Sequence, residues 1–508
     1  MTNSNAKKSA YNVLFGLLSQ VVTIGLGLII PRLFLVNFGS EMNGLINSVS
    51  QVFVYLALLE VGVGGATIQA LYSPIAKRNR ESISGILAAT GLYYRKTGRI
   101  YFIAVIAIAL AYPLIVKTTI PYLAVVSIII LHGISSVVSY FFQGKYNLLL
   151  RAEGKQYVLV NISTLIHTAV NIVKIIMLLL GCNILLILTV SMLINLAQTV
   201  FILLYIRRHY PWLDLRVKPD YDAISKKDSV LVHQVSDIVF RNTDVLILTL
   251  ICGLKTVSVY VIYSMLLGMI STAINTITSG VDFALGQTYH SNMARYVRLH
   301  DVYETYSIAL IFSLYTVAYL FIFPFVKLYT SSITDIDYLQ HLLPILFFLT
   351  FILSGGRNAS AKVINFAQHF RETQGRAIFE AVLNIAVSLV GVFLWGIYGV
   401  LAGTIVALLY RTNDMILYAN KQILHRSPWP TYRRWLICFT MFLLIWLVQP
   451  YMNWRLNTYW QIIGWAFVSI GIIVPLFLLI ASLFEGDVYK FAKELFTPYI
   501  GRVFRFTR

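Results

Sequence analysis

Residues 230–251 read VLVHQVSDIVFRNTDVLILTLI, a run long enough to cross a bilayer that also carries Asp237, Arg241 and Asp244, with His233 one turn before them. At about 100° per residue these four positions fall within an arc of roughly 80°, over about 16 Å of helix. Each charge costs about 2.5–3.5 kcal/mol near the centre of a membrane on insertion scales. The stripe must therefore turn away from lipid, towards water, a partner or a substrate. A structural ion pair inside a bundle is the alternative reading of the Asp–Arg–Asp spacing.

The rest of the chain explains why such a helix is tolerated. Of 508 residues, 58% are hydrophobic and 12% charged, and the mean hydropathy is +0.75. Apolar runs of about 20 residues recur along the whole length, without the ten-residue alternation of barrel strands. The expectation is an all-α polytopic membrane protein with about fourteen spans. They lie near 11–36, 43–71, 100–116, 122–148, 157–180, 184–206 and 230–251, then 257–285, 304–326, 340–366, 376–395, 398–420, 433–450 and 459–484. The first run follows Lys7 and Lys8, is too long for a signal-peptide core and reads as a span.

Basic residues fall in alternate connections. They include Arg95, Lys96 and Arg99, then Arg151 and Lys155, then Arg207, Arg208, Lys226 and Lys227, and later Arg433 and Arg434. The intervening turns hold at most a lone Lys117, Lys255, Lys327 or Arg455. The positive-inside rule then places both termini in the cytoplasm. The net charge of +19 follows this side-specific distribution, so no nucleic-acid partner is expected. Cys182, Cys252 and Cys438 are isolated, and no cofactor motif or metal-ligand spacing stands out. The tail after Phe484 sets Val488, Phe491 and Leu495 against Lys490 and Lys493, as in an amphipathic helix on the cytoplasmic leaflet.

The chain also repeats. LLSQV at 17–21 returns as LVHQV at 231–235, Gly39 returns as Gly253, and Asn171-Ile172 returns as Asn384-Ile385. The offset is 213–214, and six spans separate the two starts, so the halves should share one topology. This predicts two pseudo-symmetric six-helix lobes, at 1–212 and 230–424, joined by a cytoplasmic linker at 213–229. Residues 425–508 add two helices and the tail. Parallel repeats place a substrate path between lobes. Asp237, Arg241 and Asp244 correspond to Thr23, Gly27 and Ile30, so the charges belong to one repeat only.

Several stretches resemble a known family. FGSEMNGL at 38–45, YLALLEVGVGGA at 55–66, LYSP at 71–74 and YYRKTG at 93–98 form one block. GGRN at 355–358, HFRETQ at 369–374, GIYGV at 396–400 and YRTND at 410–414 form another. In this order they resemble the Wzx-type oligosaccharide flippases, the polysaccharide transporter family of the multidrug/oligosaccharidyl-lipid/polysaccharide superfamily. The resemblance implies a multi-pass protein of the bacterial cytoplasmic (inner) membrane, not an enzyme. It would flip undecaprenyl-pyrophosphate-linked oligosaccharides by alternating access, for capsule, exopolysaccharide or O-antigen assembly. Implied partners are the polyprenyl-pyrophosphate-linked glycan and membrane lipids, with a polysaccharide polymerase and assembly proteins as further candidates.

On that reading pyrophosphate calls for arginine, whose planar fork binds phosphate oxygens bidentately. The candidates are Arg241, Arg357 and Arg32, with His233, Gln20 and Gln234 beside them. Asn47, Gln51, Tyr55 and Asn275 are further candidates for glycan contacts, and Asp237, Asp244, Glu60 and Asp282 for ion or proton coupling. Glu380, Arg411 and Asp414 read as structural pairing. The stripe holds two carboxylates to one arginine, so protonating a carboxylate would free Arg241 for the headgroup. Competing functions are a peptidoglycan lipid-precursor flippase, an ion-coupled exporter, a membrane glycan polymerase or ligase, and a scaffold. The short external turns and the lack of a nucleophile constellation argue against the enzymes. A reporter active only outside the cytoplasm should work when fused in the turn at Lys117 and be silent after Arg151. The opposite pattern would reverse the predicted orientation.

Overall fold

The computed structural model describes residues 3–60, 63–224, 230–451 and 456–503, with side chains from residue 25 onward apart from 224, 230–232, 283 and 496–503. Among them the chain is helical, with no strand. It divides into two compact units, Met1–Ser258 and Val259–Arg508. The first holds α1 (Asn3–Leu56), α2 (Val63–Ala76), α3 (Arg80–Ile115), α4 (Tyr122–Phe142), α5 (Gly144–Ala152), α6 (Gln156–Leu179), α7 (Ile184–His209), α8 (Val230–Ile251) and the start of α9 (Leu254–Ser279). The second holds the remainder of α9, α10 (Asp282–Ser291), α11 (Met293–Tyr329), α12 (Leu343–Gly356), α13 (Asn358–Phe366), α14 (Phe370–Trp395) and α15 (Ile397–Tyr418). It ends with α16 (Trp429–Val448), α17 (Tyr459–Phe484) and α18 (Gly486–Val503).

Twelve helical stretches among the described residues are long and apolar enough to cross a membrane. α1 is counted once although Gly39 divides it, and α8 drops out because of its three charges. With these two, each of the fourteen predicted segments has its helix. Four of those segments are interrupted, which the hydropathy pattern did not indicate. The breaks fall between α1 and α2, α4 and α5, α9 and α10, and α12 and α13. A polar residue stands at every one: Glu60, Gln143, Asp282 and Arg357.

Positive-φ turns recur at the offset of the expected repeat, although the units divide at 258/259 and α8 falls in the first. Gly39 (φ 77°) divides α1 and Gly253 (φ 86°) separates α8 from α9. Gly154 (φ 73°) stands between α5 and α6, and Gln368 (φ 58°) between α13 and α14. Gly181 (φ 67°) follows α6, and Gly396 (φ 58°) follows α14. The three pairs are offset by 214, 214 and 215 residues, so equivalent junctions turn through positive φ. At Gly39 (φ 77°, ψ 179°) the backbone lies in a region open essentially to glycine alone. A chain with no side-chain similarity at these points still needs the same turns.

Packing inside the units follows membrane rules, with small residues where backbones meet. α14 and α15 lie so close that a Cβ on Gly399 would come within 1.9 Å of the Gly391 carbonyl oxygen. In the first unit Tyr101, Val105, Ile128 and Ile129 join α3 to α4, with Leu45 and Val49 of α1 against them.

The appended helices are held by charge. His300 and Glu304 on α11 are buried, as is Arg434 on α16. Arg434 donates to Glu304, to Asp301 Oδ1 (2.9 Å) and to Glu485 Oε1 (3.2 Å), while Arg426 donates to Asp301 (2.9 Å). His300, Asp301 and Glu304 are close enough to share a cation, but the two guanidinium groups already supply the positive charge there. α18 packs on α11 and α17, so the predicted tail helix also rests on protein. Removing one partner of a buried charge network leaves the others uncompensated, at about 3–5 kcal/mol. Arg434→Met should therefore lower the melting temperature sharply and expose α16–α18 to protease; a neutral effect would mean that apolar packing alone holds them.

Candidate functional site

α8 owes its orientation to a ladder of polar contacts along α1. Thr249 Oγ1 donates to Ser48 Oγ (2.8 Å), and the hydroxyls of Tyr55 and Thr243 share a hydrogen bond (2.6 Å), while Asn43 Nδ2 donates to Ser258 Oγ (2.7 Å) at the start of α9. Tyr112 of α3 donates to the same Ser48 Oγ (2.8 Å). The partners run in opposite directions along the two helices, so the seam is antiparallel. In an apolar surrounding such contacts contribute roughly 0.6–2 kcal/mol each, and together they set which face of α8 is covered.

The predicted stripe is continuous in angle but not in environment. Asp237 and Arg241 stand on an open face, with side chains 51% and 60% exposed, and form an i,i+4 ion pair. Asp244, one turn further on, is buried at 3% exposure and lies within electrostatic reach of Tyr55. The reason is position along the helix. The segment 244–249 is enclosed on nearly all sides, whereas 234–241 is covered on one side only. Three charges on one face thus become an open pair and a separate enclosed carboxylate.

The pair has a specific geometry. Both contacts to Asp237, at 2.8 and 2.9 Å, come from Nε of Arg241. Among the described residues no hydrogen bond is recorded for its terminal amino groups. The outer edge of the fork remains available for a second anion while Asp237 stays in place.

The other predicted residues are dispersed. His233 is half-buried and Gln234 exposed at the start of α8, and Arg32 is half-buried on α1. Gln20 lies outside the described side chains. Asn47 bonds back to Asn43, and Asn275 is exposed on α9. In the second unit Asp282 pairs with Lys362. Arg357 is buried and pairs with Glu380 (2.5 Å), which also meets Arg411 (3.3 Å). Asp414 takes Arg411 (2.5 Å) and Arg376. Three guanidinium groups and two carboxylates thus form one network between helices.

Glu60 has a different setting. It accepts a hydrogen bond from Tyr94 and lines a cavity of about 370 Å³ inside the first unit. Ser135, Ser139, Gln143, Asn147 and Arg151 form one wall, and Asn195, Gln198 and Thr199 of α7 another. Sequence reasoning placed Arg151 in a basic connection and passed over the uncharged positions because it ranked charges. Their signal was present as a run of polar residues every fourth position from 135 to 151, carried through the α4–α5 break.

No protein-family model matches the chain, and no curated protein does. Among solved structures it is similar to the lipid II flippase MurJ in an inward closed conformation. The TM-score is 0.67 at 14% identity, over 94% of this chain and all of that one. It is also similar to an inward-facing multidrug resistance MATE family transporter of the MOP superfamily (TM-score 0.62, 16% identity, 79% of this chain and 94% of that one). A third is the MATE multidrug transporter DinF-BH (TM-score 0.54, 13% identity, 80% of this chain and 94% of that one). The chain has the fold of MOP-superfamily transporters. These neighbours are transporters and flippases, not enzymes, and at such identities they establish the fold.

The seam and the open pair should respond differently to substitution. Asp237→Asn or Arg241→Gln should change stability by less than about 1 kcal/mol, as for solvated ion pairs. Thr249→Val and Tyr55→Phe should each cost roughly 0.6–2 kcal/mol. Thermal melts of purified protein test the order; a large loss with Asp237→Asn would make the pair structural.

Proposed function

We propose that the protein flips polyprenyl-pyrophosphate-linked oligosaccharides across the cytoplasmic membrane by alternating access, feeding assembly of a surface polysaccharide. The Asp237–Arg241 pair carries this reading. A membrane helix that keeps an ion pair open, when it could enclose it as it does Asp244, keeps it for something that passes. The fork binds pyrophosphate by its Nη edge, with Asp237 holding Nε and fixing the plane of the guanidinium. This differs from the release expected when Asp237 must first be protonated: headgroup and carboxylate occupy different edges of one cation. Arg32 and His233 are further candidates for the headgroup path. Arg357, enclosed by Glu380, serves better as an internal brace.

The span count and the family resemblance support the same reading. The likeness to the lipid II flippase extends over 94% of this chain, against 79–80% for the two MATE transporters. That likeness also favours a second reading, in which the cargo is a peptidoglycan lipid precursor.

Flipping of a fluorescent lipid-linked oligosaccharide in proteoliposomes tests both. Wild-type protein should flip it faster than it flips lipid II; the reverse order would select the second reading. Arg241→Lys keeps the charge and loses the second edge. It should slow flipping roughly tenfold or more, the worth of one charged hydrogen bond. Full activity in Arg241→Lys would remove the fork from the mechanism.

A further inference from the structure

The cavity beside Glu60 is lined by residues of the first unit, none of them on α8. Its volume of about 370 Å³ falls in the roughly 300–1,000 Å³ range of small-molecule pockets and far exceeds the ~30 Å³ share of one water. Gln143 is only 7% exposed. Its Nε2 donates to Ser139 Oγ (2.6 Å), while its Oε1 has no hydrogen-bond partner. One turn further, Asn147 Oδ1 is also enclosed and without one. Two buried acceptors on one wall lose about 1–3 kcal/mol each unless a donor reaches them.

The chemistry of the lining narrows the donor. A metal cation would use the acceptors but would meet Arg151 in the same cavity, and an anion would meet Glu60. The two charges balance, so the site suits a neutral ligand. Serine hydroxyls and the amides of Asn195 and Gln198 interleave donors with acceptors. A hydroxyl of the ligand that both gives and receives a hydrogen bond is matched on each side. Tyr94 and Tyr140, stacked with centroids 6.0 Å apart, add an apolar face of the kind that packs on ring C–H groups.

We propose that this cavity is a binding site for a single sugar residue, held by Gln143, Asn147 and Arg151 on the wall that runs through the α4–α5 break and by Glu60. The proposal rests on the lipid-linked-glycan reading only for why such a sugar is at hand. It gives the first unit a glycan-reading cavity whose lining does not include Arg241.

Saturation-transfer NMR on the full-length protein in nanodiscs tests it, with a free hexose, an N-acetylhexosamine and a hexuronic acid offered one at a time. At least one neutral sugar should receive saturation, and sodium should not displace it. Gln143→Leu/Asn147→Leu should weaken that binding tenfold or more. Asn195→Phe, which fills the cavity from α7, should do the same and covers the case in which the double variant fails to fold. The proposal falls if none of the sugars binds, if both folded variants bind as wild type does, or if sodium displaces the sugar. The flipping assay separates the two readings. Wild-type flipping without sugar binding sinks the cavity proposal alone, and sugar binding without flipping sinks the transport reading alone.

Discussion

A charge or amide inside an apolar helix costs several kcal/mol unless another group answers it, and this constraint arranges the polar half of the molecule. Three answers are present. In the second unit carboxylates and guanidinium groups enclose one another, as with Arg434, Glu304 and Asp301. On α8 the Asp237–Arg241 pair is left open. At Glu60 the answer is a hydroxyl from Tyr94 and a polar cavity. The first answer stabilises but gives up adaptability, because nothing else can reach the charges. The other two leave groups that a passing ligand can use.

The interruptions in the long helices serve the same end. A continuous helix satisfies its own backbone and presents side chains only outward. Breaking it redirects a side chain and frees backbone groups, which is tolerable inside protein or beside a water-filled space. Glu60, Gln143, Asp282 and Arg357 each stand at such a break. The fold places these four groups at joints, whereas Asp237 and Arg241 stand on the uninterrupted α8.

Much of this was legible in the residues. Hydropathy locates a helix in each of the fourteen predicted segments, although α3 (Arg80–Ile115) and α11 (Met293–Tyr329) begin well before the spans expected at 100–116 and 304–326. The match of Gly39 to Gly253 foreshadows the shared positive-φ turns. The i,i+4 spacing on α8 is the spacing of the ion pair found there. What escaped has physical causes. Glu304 and Arg434 are 130 positions apart, and neither sequence neighbourhood hints at the other. Asp244 shares a face with Arg241, yet its burial depends on how far α1 reaches along α8, which no periodicity encodes. The cavity residues are mostly uncharged, and a stripe of Ser, Gln and Asn in a membrane helix resembles ordinary helix–helix hydrogen bonding until a void is found beside it.

Compared at the offset of the expected repeat, the two units differ in what fills corresponding positions. Gln143 ends α4 as Arg357 ends α12, at an offset of 214. Gln198 on α7 corresponds to Arg411 on α15 at 213, the offset by which these two helices begin. Two positions related by the offset therefore carry amides in the first unit and guanidinium groups in the second. In the second, Glu380 draws Arg357 and Arg411 together and the space is filled by the protein's own cations. In the first, shorter neutral side chains leave about 370 Å³ and two unanswered acceptors. Filling a site with fixed charge makes it a brace, and emptying it makes a pocket. Both outcomes satisfy the same demand, that buried polarity be matched, and only the empty one has the match supplied from outside.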